Sequence, residues 1–599
     1  MTLHIPLKGS LAGHQYAGWE PTTKALEGLG NRQLPGERVP VADGITLNAD
    51  VYTPATPGRY PAVISFGAYS TEGHTAGLPT GTNEAGSPPN FTDRGYCPVI
   101  VERRGMGRSQ GDQDIFMGDR DAADHEAVIA WAAGQPWCNG EVVLFGTSYY
   151  GMTQPIVAAR RPPALKAFFA NELCTDLYRH LTHFGSVPAL YFLNVWMGAN
   201  FTQENYDKRI SPNMRAVISH ITNGRAHEAI EHLVHGKVDS MFEKFSAATP
   251  VEDVRRVYAS WLFDQKTREF PWIPEGSYRH LDQLEIPFVA VQNLSTFNLH
   301  QYGAYELFEK AATPTESKWL ILGPREYDLP AYGWQQEALA FFDHVLRGTD
   351  NGYAEQPHVR YWTDGSEQYG AATAFPPPNA TTLRLELASS ADGEHADDMQ
   401  PHALVRGRAA PGKNSWAAVP IGMPVLGGLE EVTNQTLSYE LPIKDTLTLA
   451  GAVTANLSFS SNEIDSYVIA RLTRVDTTGE LHMLSMGAIR PATREIDPDR
   501  GSACEIAIDT KRAPLTPGEA VELRFTLTPG PVTLQPGERL RLDIASRTDL
   551  LRKDPSDGYA QFDLPVPPYF SRNTIHHGSA SWIEVDTVTP TQAATPATP

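Results

Sequence analysis

Cysteine is scarce in this chain. There are four among 599 residues (Cys97, Cys138, Cys174 and Cys504), all far apart. That spacing excludes a disulfide framework and any CxxC metal ribbon. Positive charge is also in short supply: Lys plus Arg is 49 against 70 for Asp plus Glu, a formal net charge of 49 − 70 = −21. Such a surface repels phosphate backbones and anionic headgroups, so neither nucleic acid nor membrane is an expected partner. Long apolar runs are missing too. No stretch approaches the ~18 residues of a membrane span. The start, Met1-Thr-Leu-His-Ile-Pro-Leu-Lys, has no basic segment followed by an apolar run. These absences predict a cytoplasmic, reduced protein, in which triplets such as Asn90-Phe91-Thr92 are chance matches to a glycosylation site. No phosphate-cradling or dinucleotide glycine motif occurs, and no cofactor is expected.

What is present is the composition of a soluble globular protein, 41% hydrophobic and 10% aromatic. The length exceeds what one hydrophobic core supports, so two to four domains are expected. Residues 1–36 read as an N-terminal extension. Residues 37–55 read as two strands around an Asp43-Gly44 turn, a strong hairpin signal. Apolar strands at Pro61–Phe66, Tyr96–Val101 and Glu141–Phe145 then alternate with a helix over about Arg120–Gly134, which implies a mostly parallel sheet. Residues 171–284 are rich in aromatics, His and charge at helical spacing, and read as an inserted helical cap. Strands return at Pro287–Val291 and Trp319–Leu322, followed by a helix over Gln335–Leu346. From 357 to 599 short alternating strands separated by Pro/Gly turns predict an all-β jelly-roll sandwich. The fold class is therefore α/β, with 37–170 and 285–350 forming one domain around the sheet.

One motif carries chemistry. In Glu141–Gly151, EVVLFGTSYYG, an apolar strand runs straight into Gly146-Thr147-Ser148, and a helix is expected after Tyr149. A serine on so sharp a turn is forced outward at the top edge of the sheet, and the following N–H groups face any oxyanion formed there. The second glycine sits at Ser+3, Gly151, so a strict GxSxG is not met. The cap histidines His220, His227, His232 and His235 carry no metal-type motif around them, and no metal is expected.

Several segments together resemble the cocaine-esterase and X-Pro dipeptidyl-peptidase group of serine hydrolases, the CocE/NonD hydrolases. They are Val39–Leu47, the turn Arg104-Gly-Met-Gly-Arg-Ser-Gln-Gly111, the block from Gln135 to Gly151, Asp176-Leu-Tyr-Arg179, Phe341–Gly348, and Leu534–Leu540 in the sandwich. The likeness covers about residues 37–585. It implies an α/β-hydrolase with a C-terminal sandwich that acts on an ester or amide of a small molecule, with Ser148 as nucleophile. It also implies an oxyanion hole made by the Tyr69 hydroxyl and the N–H of Tyr149.

The same resemblance exposes two departures. The position of the family's acid is held by Thr296, and that of its histidine by Tyr327 in Gly323-Pro324-Arg325-Glu326-Tyr327-Asp328. Thr cannot hold a charge against an imidazolium, and a phenol with a pKa of roughly 10 is a poor base at neutral pH. Both residues are then read as substrate contacts. Three readings follow. The base is relocated, with His300 the leading candidate, its imidazole expected within roughly 3–4 Å of Ser148 Oγ. His74, His180 and His183 stand behind it, with Glu326 or Asp328 as carboxylate. Alternatively the chemistry is non-hydrolytic, a lyase, isomerase or cyclase using the oxyanion hole alone. Or the protein binds a ligand and is catalytically silent. A small molecule is the expected partner, and a homo-oligomer is left open.

Overall fold

The computed structural model describes residues 21, 23–28, 30–69, 71, 84–111, 117–189, 277–293, 300, 302–324, 330–366, 368–389, 401–419, 435–498, 507, 511–548 and 567–589. Most of the proposed cap, together with Thr296, Tyr327, Glu326, Asp328, His74, His220, His227, His232, His235 and Cys504, lies outside those residues. No described helix is long and apolar enough to cross a membrane.

Two sheets organise the chain. The first has ten strands in the order β1-β2-β4-β3-β5-β6-β9-β10-β11-β12. Strands β1 (Asn31–Pro40) and β2 (Thr46–Pro54) form the antiparallel hairpin at one edge. Its turn places Asp43 and Gly44 at φ 67° and 71°, the left-handed pair that an Asp-Gly hairpin needs. The hairpin begins at Asn31, so the strand starts inside the supposed N-terminal extension. The parallel core is β3 (Tyr60–Gly67), β4 (Cys97–Glu102), β5 (Cys138–Thr147), β6 (Leu165–Asn171), β9 (Phe288–Asn293) and β10 (Lys318–Gly323). Their continuous apolar runs suit strands covered on both faces. Helices α1 (Asp119–Ala133), α2 (Tyr149–Ala158), α3 (Gly303–Lys310) and α4 (Pro330–Arg347) accompany them.

Strands β11 (Val359–Thr363) and β12 (Gln368–Ala372) correct the expected boundary at 357. Leu320–Leu322 pair in parallel with Val359–Tyr361, and β12 closes the edge antiparallel. Residues 359–372 thus complete the hydrolase sheet. Their short, turn-bounded pattern matches the sandwich beyond, and pattern alone does not say which sheet a strand joins. The described parts of 171–284 correct the purely helical reading too: beside one π-turn, Tyr178–Thr182, stand two short paired strands, β7 (His183–Phe184) and β8 (Val187–Pro188).

The C-terminal domain is all β, with twelve described strands, β13 to β24, between Thr381 and Val588. Its core is a separate cluster that includes Trp416, Leu457, Phe459, Leu472, Leu523 and Leu542. It meets the hydrolase domain along β19 (Leu481–Ile489) and β20 (Val521–Leu527). There Arg490 N–H donates to Gly185 O at 2.8 Å, and the Tyr302 hydroxyl donates to Thr526 O at 3.1 Å. Gly185 is obligatory, because a Cβ would lie 1.8 Å from Ala488 O.

Candidate active site

Strand β5 ends at Thr147 and α2 begins at Tyr149, so Ser148 occupies the single residue between them. Its backbone is at φ 55° and ψ −117°, a region L-residues avoid. Two main-chain bonds hold it there: Ser148 N–H to Asn171 O at 3.0 Å and Met152 N–H to Ser148 O at 2.7 Å. The unusual glycine spacing also has a steric reason. A Cβ on Gly146 would sit 2.3 Å from Tyr150 Cβ, and one on Gly67 would sit 2.4 Å from the Tyr150 ring. The two glycines make room for a tyrosine at Ser+2, where the strict motif has glycine. Gly151, at Ser+3, allows the helix to pass over β6, since a Cβ there would be 2.6 Å from Asn171 O.

His300 Nε2 lies 3.3 Å from Ser148 Oγ across 152 residues of sequence, within the 3–4 Å expected of a relocated base. The ring's other nitrogen, Nδ1, is 3.8 Å from Glu172 Oε2. Ser148, Glu172 and His300 are all buried, at 9%, 1% and 2% exposure. Glu172 was not anticipated. It follows directly on β6, the strand next to the nucleophile's, and its carboxylate is gripped by Gln292 Nε2 at 2.6 Å and the Asn293 N–H at 2.7 Å. A signal for it existed: between Lys166 and Asp176 it is the single charge in an otherwise uncharged, apolar-rich stretch, AFFANELCT, that ends a core strand. Glu172 and His300 share the positive φ of Ser148, at 50° and 65°.

The two tyrosines predicted for the oxyanion hole pack together. Tyr69 stands two residues past β3, and its ring meets those of Tyr149 and Tyr150 at centroid distances of 6.2 and 5.7 Å. Tyr149 is fully buried, and its hydroxyl donates to Asp121 Oδ2 at 3.0 Å. Asp121 also receives Arg103 Nε at 2.9 Å and the Met117 N–H at 2.8 Å. Burial holds the Tyr149 phenol well above the usual tyrosine range, so it serves as a neutral donor.

The other histidine candidates are engaged by their own surroundings. His180 Nδ1 is 3.3 Å from Thr175 Oγ1, and His183 Nδ1 is 2.8 Å from Thr182 Oγ1. Burial pushes His183 down to about 3, which keeps it neutral. One His/carboxylate group with ligand-like spacing occurs among the described residues: Asp476, Glu480 and His482 on the sandwich hairpin. Asp476 already accepts the Thr478 and Glu480 N–H groups, as hairpin turns often require.

Comparison with known proteins places the family and the fold. Residues 43–326 match the X-Pro dipeptidyl-peptidase (S15) family, and residues 351–581 match the X-Pro dipeptidyl-peptidase C-terminal non-catalytic domain. The chain carries both domains of the S15 family. It is 25% identical to the cocaine esterase of a Rhodococcus species over 527 residues, covering 79% of this chain and 86% of that one. A Mycobacterium bovis protein with a provisional serine-esterase name is 24% identical over 588 residues, covering 85% and 89%. The crystal structure of a CocE/NonD family hydrolase from Staphylococcus aureus superposes with a TM-score of 0.72 at 22% identity, covering 93% and 94%. The fold is thus that of the CocE/NonD α/β-hydrolases with an all-β C-terminal domain, and this S15-family chain is a serine hydrolase.

Proposed function

We propose that the chain cleaves an ester or amide of a small, partly apolar molecule through an acyl-Ser148 intermediate, with His300 as base and Glu172 as its orienting carboxylate. The observation that carries this reading is the line Ser148 Oγ–His300 Nε2–Glu172 Oε2, at 3.3 and 3.8 Å. Both distances are those of a resting site, which tightens when substrate fills it.

Glu172 favours the tautomer with Nδ1–H turned toward it, leaving the Nε2 lone pair for the serine hydroxyl. Oγ attacks the carbonyl carbon as its proton passes to Nε2. The carbonyl π pair becomes an oxyanion, received by the Tyr149 N–H and the Tyr69 hydroxyl. Collapse expels the leaving group, which takes the proton back from Nε2. Water, activated by the same nitrogen, then releases the acid and frees Ser148. The carboxylate's charge stabilises the imidazolium in both steps.

Lyase-type and catalytically silent readings rested on the lack of a base at the family's histidine position. A histidine in contact with the serine removes that motive. Residues 171–284 are inferred to cap the pocket and choose the substrate, with Thr296 and Tyr327 among its contacts, and the sandwich is inferred to be a jelly roll.

The test is labelling with a fluorophosphonate probe. Wild-type protein should label strongly. Ser148→Ala should abolish labelling, and His300→Ala should slow it by about three orders of magnitude or more while the fold is kept. Folded wild-type protein that does not label would reject the reading.

A further inference from the structure

Tyr69 is held in place by a device that the chemistry above does not use. Gly67 and Thr71, two residues to either side of Tyr69, are both tied to the C-terminal end of β4. At Gly67 the tie is main chain, with the Arg103 N–H donating to Gly67 O at 2.8 Å. At Thr71 it is a side chain. Glu102, the last residue of β4, accepts the Thr71 N–H at 2.7 Å and the Thr71 hydroxyl at 2.9 Å, both on Oε1. Its other oxygen accepts the Arg108 N–H at 2.7 Å. Glu102 is fully buried.

The glycine-rich turn after β4 is shaped around this carboxylate. Gly107 has φ 50°, and a Cβ there would fall 2.5 Å from the Glu102 carboxyl. The guanidinium of Arg108 closes the cluster by donating to Thr71 Oγ1 at 2.8 Å and to Asp50 Oδ1 at 3.1 Å. Placing a carboxyl here is costly: burial pushes it up to about 7, against the N–H donors, the Thr71 hydroxyl and Arg108, which all draw it down. A Gln or Ser could satisfy part of this turn without that cost. A carboxylate alone accepts from two N–H groups and a hydroxyl with no donor of its own to place.

We propose that Glu102 is the positioning residue of the oxyanion hole, fixing through Thr71 the turn that carries Tyr69. The inference rests on the oxyanion role given to Tyr69 above. An oxyanion donor is effective only when held where charge will develop, and ~1 Å of drift can cost about a hundredfold. Within its segment Tyr69 lies between two anchors; without Glu102 the Thr71 anchor loses both of its bonds to the carboxylate and keeps the one from Arg108.

A double-mutant cycle on p-nitrophenyl butyrate hydrolysis tests this. Tyr69→Phe should lower kcat about a hundredfold with little change in KM. Glu102→Gln should lower kcat about tenfold or more in the wild-type background and less than about twofold in the Tyr69→Phe background. Equal losses in both backgrounds, or an unchanged kcat, would overturn the proposal. If Tyr69→Phe leaves kcat unchanged, the oxyanion role of Tyr69 fails and the proposal falls with it, while labelling of Ser148 still stands. Should Glu102→Gln not fold, Thr71→Val removes the hydroxyl's bonds to Glu102 and from Arg108, keeps the Thr71 N–H bond to Glu102, and is read in the same cycle: a loss of kcat that vanishes beside Tyr69→Phe supports the proposal, and an additive or absent loss overturns it.

Discussion

The two halves of the molecule keep different company with backbone strain. Among the described residues, seven non-glycine positions have positive φ: Asp43, Met117, Ser148, Arg161, Glu172, Ser186 and His300. All lie at or before residue 300. From 301 onward every described residue with positive φ is a glycine, including Gly407, Gly479, Gly518, Gly537 and Gly578. Among its described residues the sandwich therefore places in the left-handed region only the residue type that adopts it freely, while the hydrolase side forces side-chain-bearing residues there. Three of the seven are the residues that meet at Ser148. Strain of about 1–3 kcal/mol at each such site persists only where the surroundings over-determine the geometry. Here it is concentrated where side chains must be aimed rather than merely packed.

Relieving strain on the hydrolase side should therefore trade function for stability. Ser148→Gly should abolish probe labelling and lower turnover by at least about four orders of magnitude, yet raise unfolding stability by up to about 1 kcal/mol in a urea titration. A destabilised Ser148→Gly protein would break the comparison. Glu172→Gln comes next. It keeps the shape but loses the charge facing Nδ1, and kcat should fall about a hundredfold or more with KM nearly constant. An unchanged kcat would return Glu172 to a purely structural role.

How much of this the sequence disclosed depends on whether a residue's duty is local. The elbow was legible because strand, turn and helix adjoin within eleven residues. The parallel strands were legible from their apolar runs. His300 was reachable from its place near a helix start, though nothing local says that it meets a serine 152 residues away. Glu172 was missed because the acid was sought after β9, at Thr296. The proposed carboxylate stands instead at the end of the neighbouring strand β6, and two adjacent strand ends can aim a side chain at the same imidazole. Strands β11 and β12 were given to the wrong sheet because pairing partners are a long-range property that local alternation does not encode.

The sandwich offers the reverse substitution. Gly479, at φ 90° in the hairpin between β18 (Val468–Val475) and β19, has nothing within 4 Å of where a Cβ would go. Gly479→Ala should therefore cost only backbone strain, about 1 kcal/mol, with hydrolysis unchanged. A larger loss would mean that the sandwich, too, depends on finely set turns.

The smallest effect expected concerns charge. In the sandwich the buried Asp465 carboxylate faces Arg490 at 2.7 Å. On the hydrolase side Glu102 is held mainly by N–H and hydroxyl donors, and burial raises it to about 7. The folded carboxyl keeps its proton to higher pH than the unfolded one. In the window between the ordinary glutamate value and about 7, the unfolded state therefore binds fewer protons, and stability falls as pH rises. Glu102→Gln should flatten that slope, measured as urea midpoints at pH 5 and pH 8. An identical slope in wild type and variant would remove Glu102 as its source.

The bond from the Tyr302 hydroxyl to Thr526 O, at 3.1 Å, has a mechanical meaning. Tyr302 is two residues from His300, and Thr526 belongs to the C-terminal domain. His300, the proposed base, thus stands two residues from a link between the two domains. A chain cut before β20 loses this link, so the second domain is inferred to act as the bench to which the proposed base is clamped.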